Sequence, residues 1–142
     1  MIESLLRAEN LVFLRGGALA VACGFVIGAE RESRNKSAGV STHILIVFGA
    51  MFFTMMSIAM EPENPGRIAA NILTGIGFLG AGLIIKTDKG NVGGLTTAAS
   101  VWFAAAIGMA IGFGWYFAAI IGTLVSTLTP LIPHLPWKSR RK

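Results

Sequence analysis

Hydrophobic residues occupy five long segments of the chain, separated by short polar stretches. The segments are residues 11–29, 43–60, 67–86, 95–112 and 115–132. Each is close to the roughly 20 apolar residues with which a helix crosses a hydrocarbon core of about 30 Å. In a bilayer the backbone must satisfy its own hydrogen bonds, so these segments are expected to be helices. The pattern predicts an all-α membrane protein, with one domain of five transmembrane helices over 1–137 and a short basic cytoplasmic tail at 138–142.

The segment 67–86 is expected to form the central helix of this bundle. Its glycines are Gly75, Gly77, Gly80 and Gly82. Small residues in a transmembrane helix allow other backbones to come close, so this composition indicates close neighbours. The segment 43–60 is bulkier. It is expected either to face lipid or to pack through one narrow face.

Small residues also recur every four positions in three other segments. They are Gly16, Ala20, Gly24 and Gly28 in the first, Ala104, Gly108 and Gly112 in the fourth, and Gly114, Ala118 and Gly122 at the fifth. Residues four apart share one face of a helix, so each set forms a stripe suited to helix packing. Because the stripes exceed what one five-helix bundle needs, we predict a homodimer with the central or fourth helix near the contact.

Composition supports a membrane protein, since 54% of the 142 residues are hydrophobic and only 13% are charged. Soluble domains carry about 25% charged residues. The formal net charge is +5, but the basic residues lie in loops and at the C-terminus, so nucleic-acid binding is not expected.

The basic residues concentrate on one side of the predicted spans. The positive-inside rule then places the N-terminus outside and the C-terminus in the cytoplasm.

The acidic residues lie at segment ends or in loops, away from the middle of any segment. Cation transporters usually carry acids within the membrane, so this pattern counts against a cation pathway. Backbone carbonyls at broken glycine helices are an alternative set of ligands. The sequence has no nucleophile–base arrangement and no cluster with metal-ligand spacing. We therefore predict no enzyme activity, no cofactor and no metal site.

Several polar or charged residues are candidates for a functional role. Glu30 and Arg31 directly follow the first segment at its cytoplasmic end, where they form either an interfacial ion pair or a buried pair that holds the loop and helices together. Arg67 opposes the dipole at its helix N-terminus, so it is expected to pair with Glu61 or Glu63.

Other polar residues lie inside the segments or at their ends. Asn71 and Thr96, with Thr97 and Ser100, are expected to form interhelical hydrogen bonds. The alternative is that they line a path for a substrate. His43 begins the second segment and is expected to be an interfacial cap or a solvated residue.

Three motifs occur in order along the chain. They are IGAERESRNKSAGVSTH (27–43), NPGRIAANILTGIGFLGAGLI (64–84) and GLTTAASVWFAAAIGMAIGFG (94–114). Together they resemble the transmembrane domain of the MgtC/SapB family over about residues 12–128. The resemblance implies a multi-pass protein of the bacterial or archaeal inner (plasma) membrane with five spans.

The resemblance also implies a role. The family is linked to growth under magnesium limitation and, in pathogens, to survival inside macrophages. One implied function is regulatory, through membrane partners that include the proton-translocating ATP synthase. The alternative is an oligomeric transporter or channel for magnesium or another small solute.

The chain departs from the virulence-associated members of that family at three places. Thr96 stands where they carry Asn, at a position associated with the ATP synthase interaction, so this partner is less expected here. Ser41 stands where they carry Arg. They also carry a soluble C-terminal domain after the fifth span, whereas PHLPWKSRRK (133–142) is expected to be too short for one.

Overall fold

The computed structural model describes residues 8–86 and 92–132. The helices of this part are α1 (Ala8–Ser33), α2 (Val40–Met60), α3 (Gly66–Leu83), α4 (Leu95–Gly112) and α5 (Tyr116–Leu128). A 3₁₀ turn, Thr129–Leu131, continues α5. Between α3 and α4, the two-residue strand β1 (Ile85–Lys86) pairs with β2 (Val92–Gly93) in antiparallel register. The prediction of an all-α chain with five helices is confirmed over the described residues.

Three of these helices are long and apolar enough to cross a membrane by length and composition. They are Asn10–Ser33 within α1, Val40–Met60 and Leu95–Gly112. The other two contribute shorter apolar helices, Ala69–Leu83 and Tyr116–Leu131. The five predicted spans thus correspond to three long and two shorter apolar helices, as in a multi-pass membrane protein.

The centre of the bundle is formed by α2 and α4. α2 packs against α1, α3 and α4, and α4 also contacts α1, α3 and α5. The prediction that the segment 67–86 is the central helix is wrong, because α3 lies at one side against α2 and α4. Its Phe78 side chain is 78% exposed. The glycines of this segment indicate that another helix can approach closely. They do not indicate whether that helix belongs to the same chain or to a second one.

α2 packs through one face. Its buried residues are His43, Ile46, Val47, Ala50, Met51, Thr54 and Ser57. They follow one another at intervals of one or three, which places them along a single stripe of the helix. Of the two alternatives for the segment 43–60, packing through one narrow face is therefore the observed one.

α1 and α4 cross α2 at glycines, where the backbones nearly touch. A β-carbon built on Gly28 would lie 2.3 Å from the Cα of Val40, in the first turn of α2. One built on Gly108 would lie 2.2 Å from the backbone oxygen of Val47. Gly24 is similarly crowded, with the backbone of α2 at 2.6 Å. Any larger residue at these crossings would have to push the helices apart.

The other small residues of the predicted stripes divide into a packed group and an open group. The packed group comprises Gly16, Ala20, Gly80, Ala104, Gly112 and Gly122. The open group comprises Gly75, Gly77, Gly82, Gly114 and Ala118. Nothing from elsewhere in the described chain lies within 4 Å of a β-carbon built on these four glycines, and Ala118 is exposed. Gly114 has φ +78° and forms the turn between α4 and α5.

The helix ends differ from the predicted segment ends. α1 continues past residue 29 to Ser33, because a helix can extend beyond the hydrocarbon core into the polar headgroup region, where charged residues are stable. α3 ends at Leu83, where the chain becomes extended and forms β1. The basic tail 138–142 and the loop residues 87–91 lie outside the described residues.

Candidate functional site

Polar side chains collect at the end of the bundle where α1, α3 and α5 finish and α2 and α4 begin. We call this region the arginine end and define it as residues 30–43, 94–100 and 129–132. Three of its side chains, those of Arg31, His43 and Thr97, are buried. Buried polar groups require hydrogen-bond partners, and here the partners are supplied across helices.

Arg31 joins α1 to α4. Its side chain is only 2% exposed, and Nη2 donates a hydrogen bond to Oγ1 of Thr97. Its Nε is buried and has no hydrogen-bond partner in the described part of the chain. This hydrogen bond fixes the position of the buried Arg31 guanidinium, since moving it would leave Nη2 of Arg31 and the hydroxyl of Thr97 without each other as partners.

His43 joins α2 to α4. Its ring is fully buried. Nδ1 lies 3.1 Å from the Gly39 carbonyl oxygen, and Nε2 lies 2.9 Å from Oγ of Ser100. Because a carbonyl only accepts, we assign the proton of a neutral ring to Nδ1, so that Nε2 accepts from the Ser100 hydroxyl. The expectation that His43 is an interfacial cap or a solvated residue is wrong.

Glu30 and Arg31 have different partners. Oε1 of Glu30 lies 3.5 Å from Nε of Arg34, the residue that follows α1, and Glu30 accepts no hydrogen bond from the described residues. Nη1 of Arg34 donates to the carbonyl oxygen of Pro130. Arg34 therefore connects the turn after α1 to the 3₁₀ turn after α5, while Arg31 connects α1 to the start of α4.

Arg67 and Asn71 lie at the opposite end of the bundle. Nη1 of Arg67 is 3.8 Å from Oε1 of Glu61, one of its two predicted partners. Because the Arg67 side chain is 74% exposed, the ion pair contributes at most about 1 kcal/mol. Asn71 is exposed, and its Nδ2 lies 3.3 Å from the Arg67 carbonyl oxygen, to which it donates.

Thr96 is at the arginine end, but its side chain is exposed while that of Thr97 is buried. The structure thus brings Glu30, Arg31 and Thr96 to one end and separates them from Arg67 and Asn71. The group that sequence reasoning did not assemble comprises Arg34, His43, Thr97 and Ser100. One signal was available for Thr97, which precedes Ala104 by seven residues and so shares the face of the fourth-segment stripe.

Two cavities open at the arginine end. The smaller has a volume of about 170 Å³ and lies between α4 and the end of α5, with Arg31 and Thr96 in its wall. The larger, which we call the mouth cavity, has a volume of about 840 Å³. Its lining includes Arg31, Arg34, Lys36 and the first turn of α4. A separate apolar groove of about 460 Å³ runs between α2 and α3.

Metal ligands do not cluster in residues 8–86 and 92–132, where no group of three or more His, Cys, Asp or Glu side chains is arranged to hold a metal ion. The described basic side chains at the arginine end, those of Arg31, Arg34 and Lys36, offer hydrogen-bond donors and positive charge. Such groups recognise anions, and they also fix helices relative to one another.

The family model of MgtC matches residues 18–134 of the chain. The chain belongs to the MgtC family. This confirms the resemblance seen in the three motifs. Protein MgtC of Salmonella typhimurium is 45% identical over 106 residues, which cover 75% of this chain and 46% of that protein.

Two further relatives extend this similarity. An Escherichia coli protein named putative magnesium transporter YhiD is 43% identical over 124 residues, which cover 81% of this MgtC-family chain and 57% of that protein. An uncharacterised protein of Haemophilus influenzae is 39% identical over 155 residues, covering 99% of this chain and 64% of that protein. The chain spans about half the length of the first curated relatives it matches. No solved structure matches it.

Proposed function

We propose that this MgtC-family chain is a non-enzymatic regulator or interaction protein of the inner membrane, tied to magnesium limitation and membrane energetics. The observation that carries this proposal is the filling of the bundle interior. Ala20, Val47, Ala104 and Ala105 are fully buried at the contacts between α1, α2 and α4. A solid apolar centre favours binding and signalling over conduction, because a hydrated solute needs a polar route.

The lipid-facing surface offers room for protein partners. Phe78 of α3 and Phe117 of α5 are among the most exposed large apolar side chains of the described residues. In a membrane such side chains contact lipid or the helices of another protein.

We place the arginine end in the cytoplasm, as the distribution of basic residues predicts.

A flux measurement separates this proposal from a transport function. Purified protein in liposomes is expected to give no more magnesium entry than protein-free liposomes, because small and apolar side chains such as Ala20, Val47 and Ala104 fill the described contacts between α1, α2 and α4. An assembled ion channel added to the same liposomes serves as the positive control. Robust magnesium flux through the purified chain would contradict the regulatory proposal.

The partner is tested in native membranes. Crosslinking at low and high magnesium, followed by identification of the crosslinked proteins, is expected to recover a defined membrane complex at low magnesium. ATP synthase is the candidate implied by the family. ATP-driven acidification of inverted vesicles with and without the chain tests it directly, and an unchanged rate would remove ATP synthase from consideration.

The second candidate function is an oligomeric transporter for magnesium or another small solute. It is favoured by the name of the Escherichia coli relative, a putative magnesium transporter. Because the described interior of one chain is filled, this function would require a route between assembled chains. It predicts flux only under conditions in which the protein is oligomeric.

We also propose a homodimer, with α3 rather than α4 at the contact. The glycines of α4 are used within the chain, since Gly108 packs on Val47 of α2. Gly75 and Gly77 of α3 have no such neighbour among the described residues, so their open surface supports close approach of a second α3.

Gly77→Leu is expected to lower the dimer fraction, because leucine would hold two α3 backbones apart. The measurement is subunit counting by single-molecule photobleaching in lipid nanodiscs. Ala118→Leu is the matched control, since it adds bulk to an exposed position on α5. A monomeric wild type would contradict the dimer, and an unchanged dimer fraction in Gly77→Leu would contradict the α3 contact.

A further inference from the structure

We propose that the mouth cavity at the arginine end binds a phosphate group, either that of an anionic lipid headgroup or that of a soluble phosphate. The site is independent of whether the chain regulates a partner or conducts a solute. Three features of the described residues converge on it: a buried arginine with an unused donor, the uncapped start of a long helix, and a cationic lining without an acid.

Arg31 is the first feature. The side chain lines the mouth cavity and is 2% exposed, yet its Nε–H has no acceptor among the described residues. An unsatisfied buried donor is costly, and more so when it carries charge. A guanidinium offers a planar fork that engages two oxygens of a phosphate at once. Thr97 holds Nη2, which orients that fork.

The start of α4 is the second feature. α4 is 18 residues long, and its N-cap is Gly94, with no side-chain cap and no acid in the first turn. Backbone N–H groups in the first turn of a helix have no partner within the helix, and they form the positive end of its dipole. Gly94, Leu95 and Thr96 line the mouth cavity. Anions bind at helix starts of this kind.

The charge of the lining is the third feature. Arg31, Arg34 and Lys36 line the mouth cavity, and its described lining contains no Asp or Glu. Two carboxylates lie nearby, those of Glu30, which accepts no hydrogen bond from the described residues, and of Glu32. Glu30 pairs with Arg34 at 3.5 Å, and Oε1 of Glu32 accepts a hydrogen bond of 2.9 Å from the backbone N of Val40. The described lining therefore presents an excess of positive charge to a ligand.

The size and position of the cavity identify the ligand class. A volume of about 840 Å³ exceeds that of bare phosphate, so it also accommodates a phosphate carrying a substituent such as glycerol. The cavity lies at the end of the bundle where α1 finishes and α4 begins, and we propose that this end lies near the headgroups. A lipid phosphate and a soluble phosphate would present the same oxygens to Arg31 and to the start of α4.

The test measures the thermal stability of the intact chain with two probes. Inorganic phosphate is titrated into the detergent-solubilised protein against chloride at equal ionic strength. Phosphatidylglycerol nanodiscs are compared with phosphatidylcholine nanodiscs, and native mass spectrometry counts retained lipid. We expect phosphate, phosphatidylglycerol or both to raise the melting temperature. A higher melting temperature with inorganic phosphate alone identifies a soluble phosphate as the ligand. A higher melting temperature with phosphatidylglycerol alone identifies a lipid headgroup.

A charge variant makes the test specific to this cavity. Thr96→Glu places a carboxylate in the first turn of α4, where it suits the helix dipole but repels an anion. We expect this variant to fold and to lose at least tenfold in apparent affinity for the probe that binds. Ser41→Glu is the control, since it adds the same charge to the first turn of α2 at an exposed position outside the lining. The proposal is overturned if neither probe stabilises the wild type, or if Thr96→Glu binds as well as Ser41→Glu.

Discussion

Gly108→Leu is expected to destabilise the bundle by about 3 kcal/mol, at the upper end of what overpacked cores usually lose. Even a β-carbon at this position would lie 2.2 Å from the backbone oxygen of Val47 and 2.8 Å from Cβ of Ala50. A backbone oxygen cannot rotate away, so α2 and α4 would have to separate. These two helices form the centre of the bundle, and the other three pack on them.

The measurement is the free energy of unfolding in mixed micelles with increasing denaturing detergent. Gly49→Leu on α2 is the matched control, because nothing lies within 4 Å of a β-carbon built there. Both changes replace glycine by leucine inside a helix, so their effects on helix propensity cancel. Wild-type stability in Gly108→Leu would show that this stripe faces lipid.

Thr97→Val is expected to destabilise the protein by about 2 kcal/mol, because it leaves a buried charged donor without its acceptor. Valine has nearly the shape of threonine, so the change removes the hydroxyl and little else. The hydroxyl of Thr97 accepts the hydrogen bond from Nη2 of Arg31, which is 2% exposed.

Thr96→Val supplies the comparison for this second prediction. Thr96 and Thr97 are neighbours in sequence, and replacing either by valine removes the same hydroxyl group. The Thr96 side chain, however, is exposed. Its replacement is expected to alter the free energy of unfolding by less than about 0.5 kcal/mol, as is usual for exposed positions. Equal effects at the two positions would mean that the Arg31 contact does not stabilise the bundle.

The five helices could be predicted from sequence because the bilayer leaves the backbone few options. An apolar run in lipid must form its own hydrogen bonds, so the position of each run gives the position of a helix. The helix ends were less predictable. Glu30 and Arg31 were assigned to a segment end on account of their charge, yet α1 continues to Ser33.

The arrangement of the helices could be predicted only in part. Glycine marks a place where a neighbour can approach, but the same composition serves a contact within a chain and a contact between chains. Gly108 meets Val47 of its own chain, whereas Gly77 meets no other element of the described residues. The segment 67–86 was consequently placed at the centre, although the helix lies at the side.

The polar cluster was the hardest part to predict, because its members come from separate segments. Arg31 and Thr97 are 66 residues apart, and His43 and Ser100 are 57 residues apart. The close crossings at Gly24 and Gly28 bring the start of α2 against α1, and a β-carbon built on Gly24 would lie 2.8 Å from the backbone oxygen of His43. Glycines in another helix therefore contribute to the surroundings of this histidine.

The short fifth helix has a consequence for the surrounding lipid. α5 has 13 residues, which at 1.5 Å per residue span about 20 Å, and the 3₁₀ turn Thr129–Leu131 adds about 6 Å. A hydrocarbon core is about 30 Å thick. An apolar helix shorter than that core produces a hydrophobic mismatch where it crosses a bilayer, and a bilayer relieves such a mismatch by thinning locally. Within the protein, Nη1 of Arg34 donates a hydrogen bond to the Pro130 carbonyl oxygen in the 3₁₀ turn that follows α5.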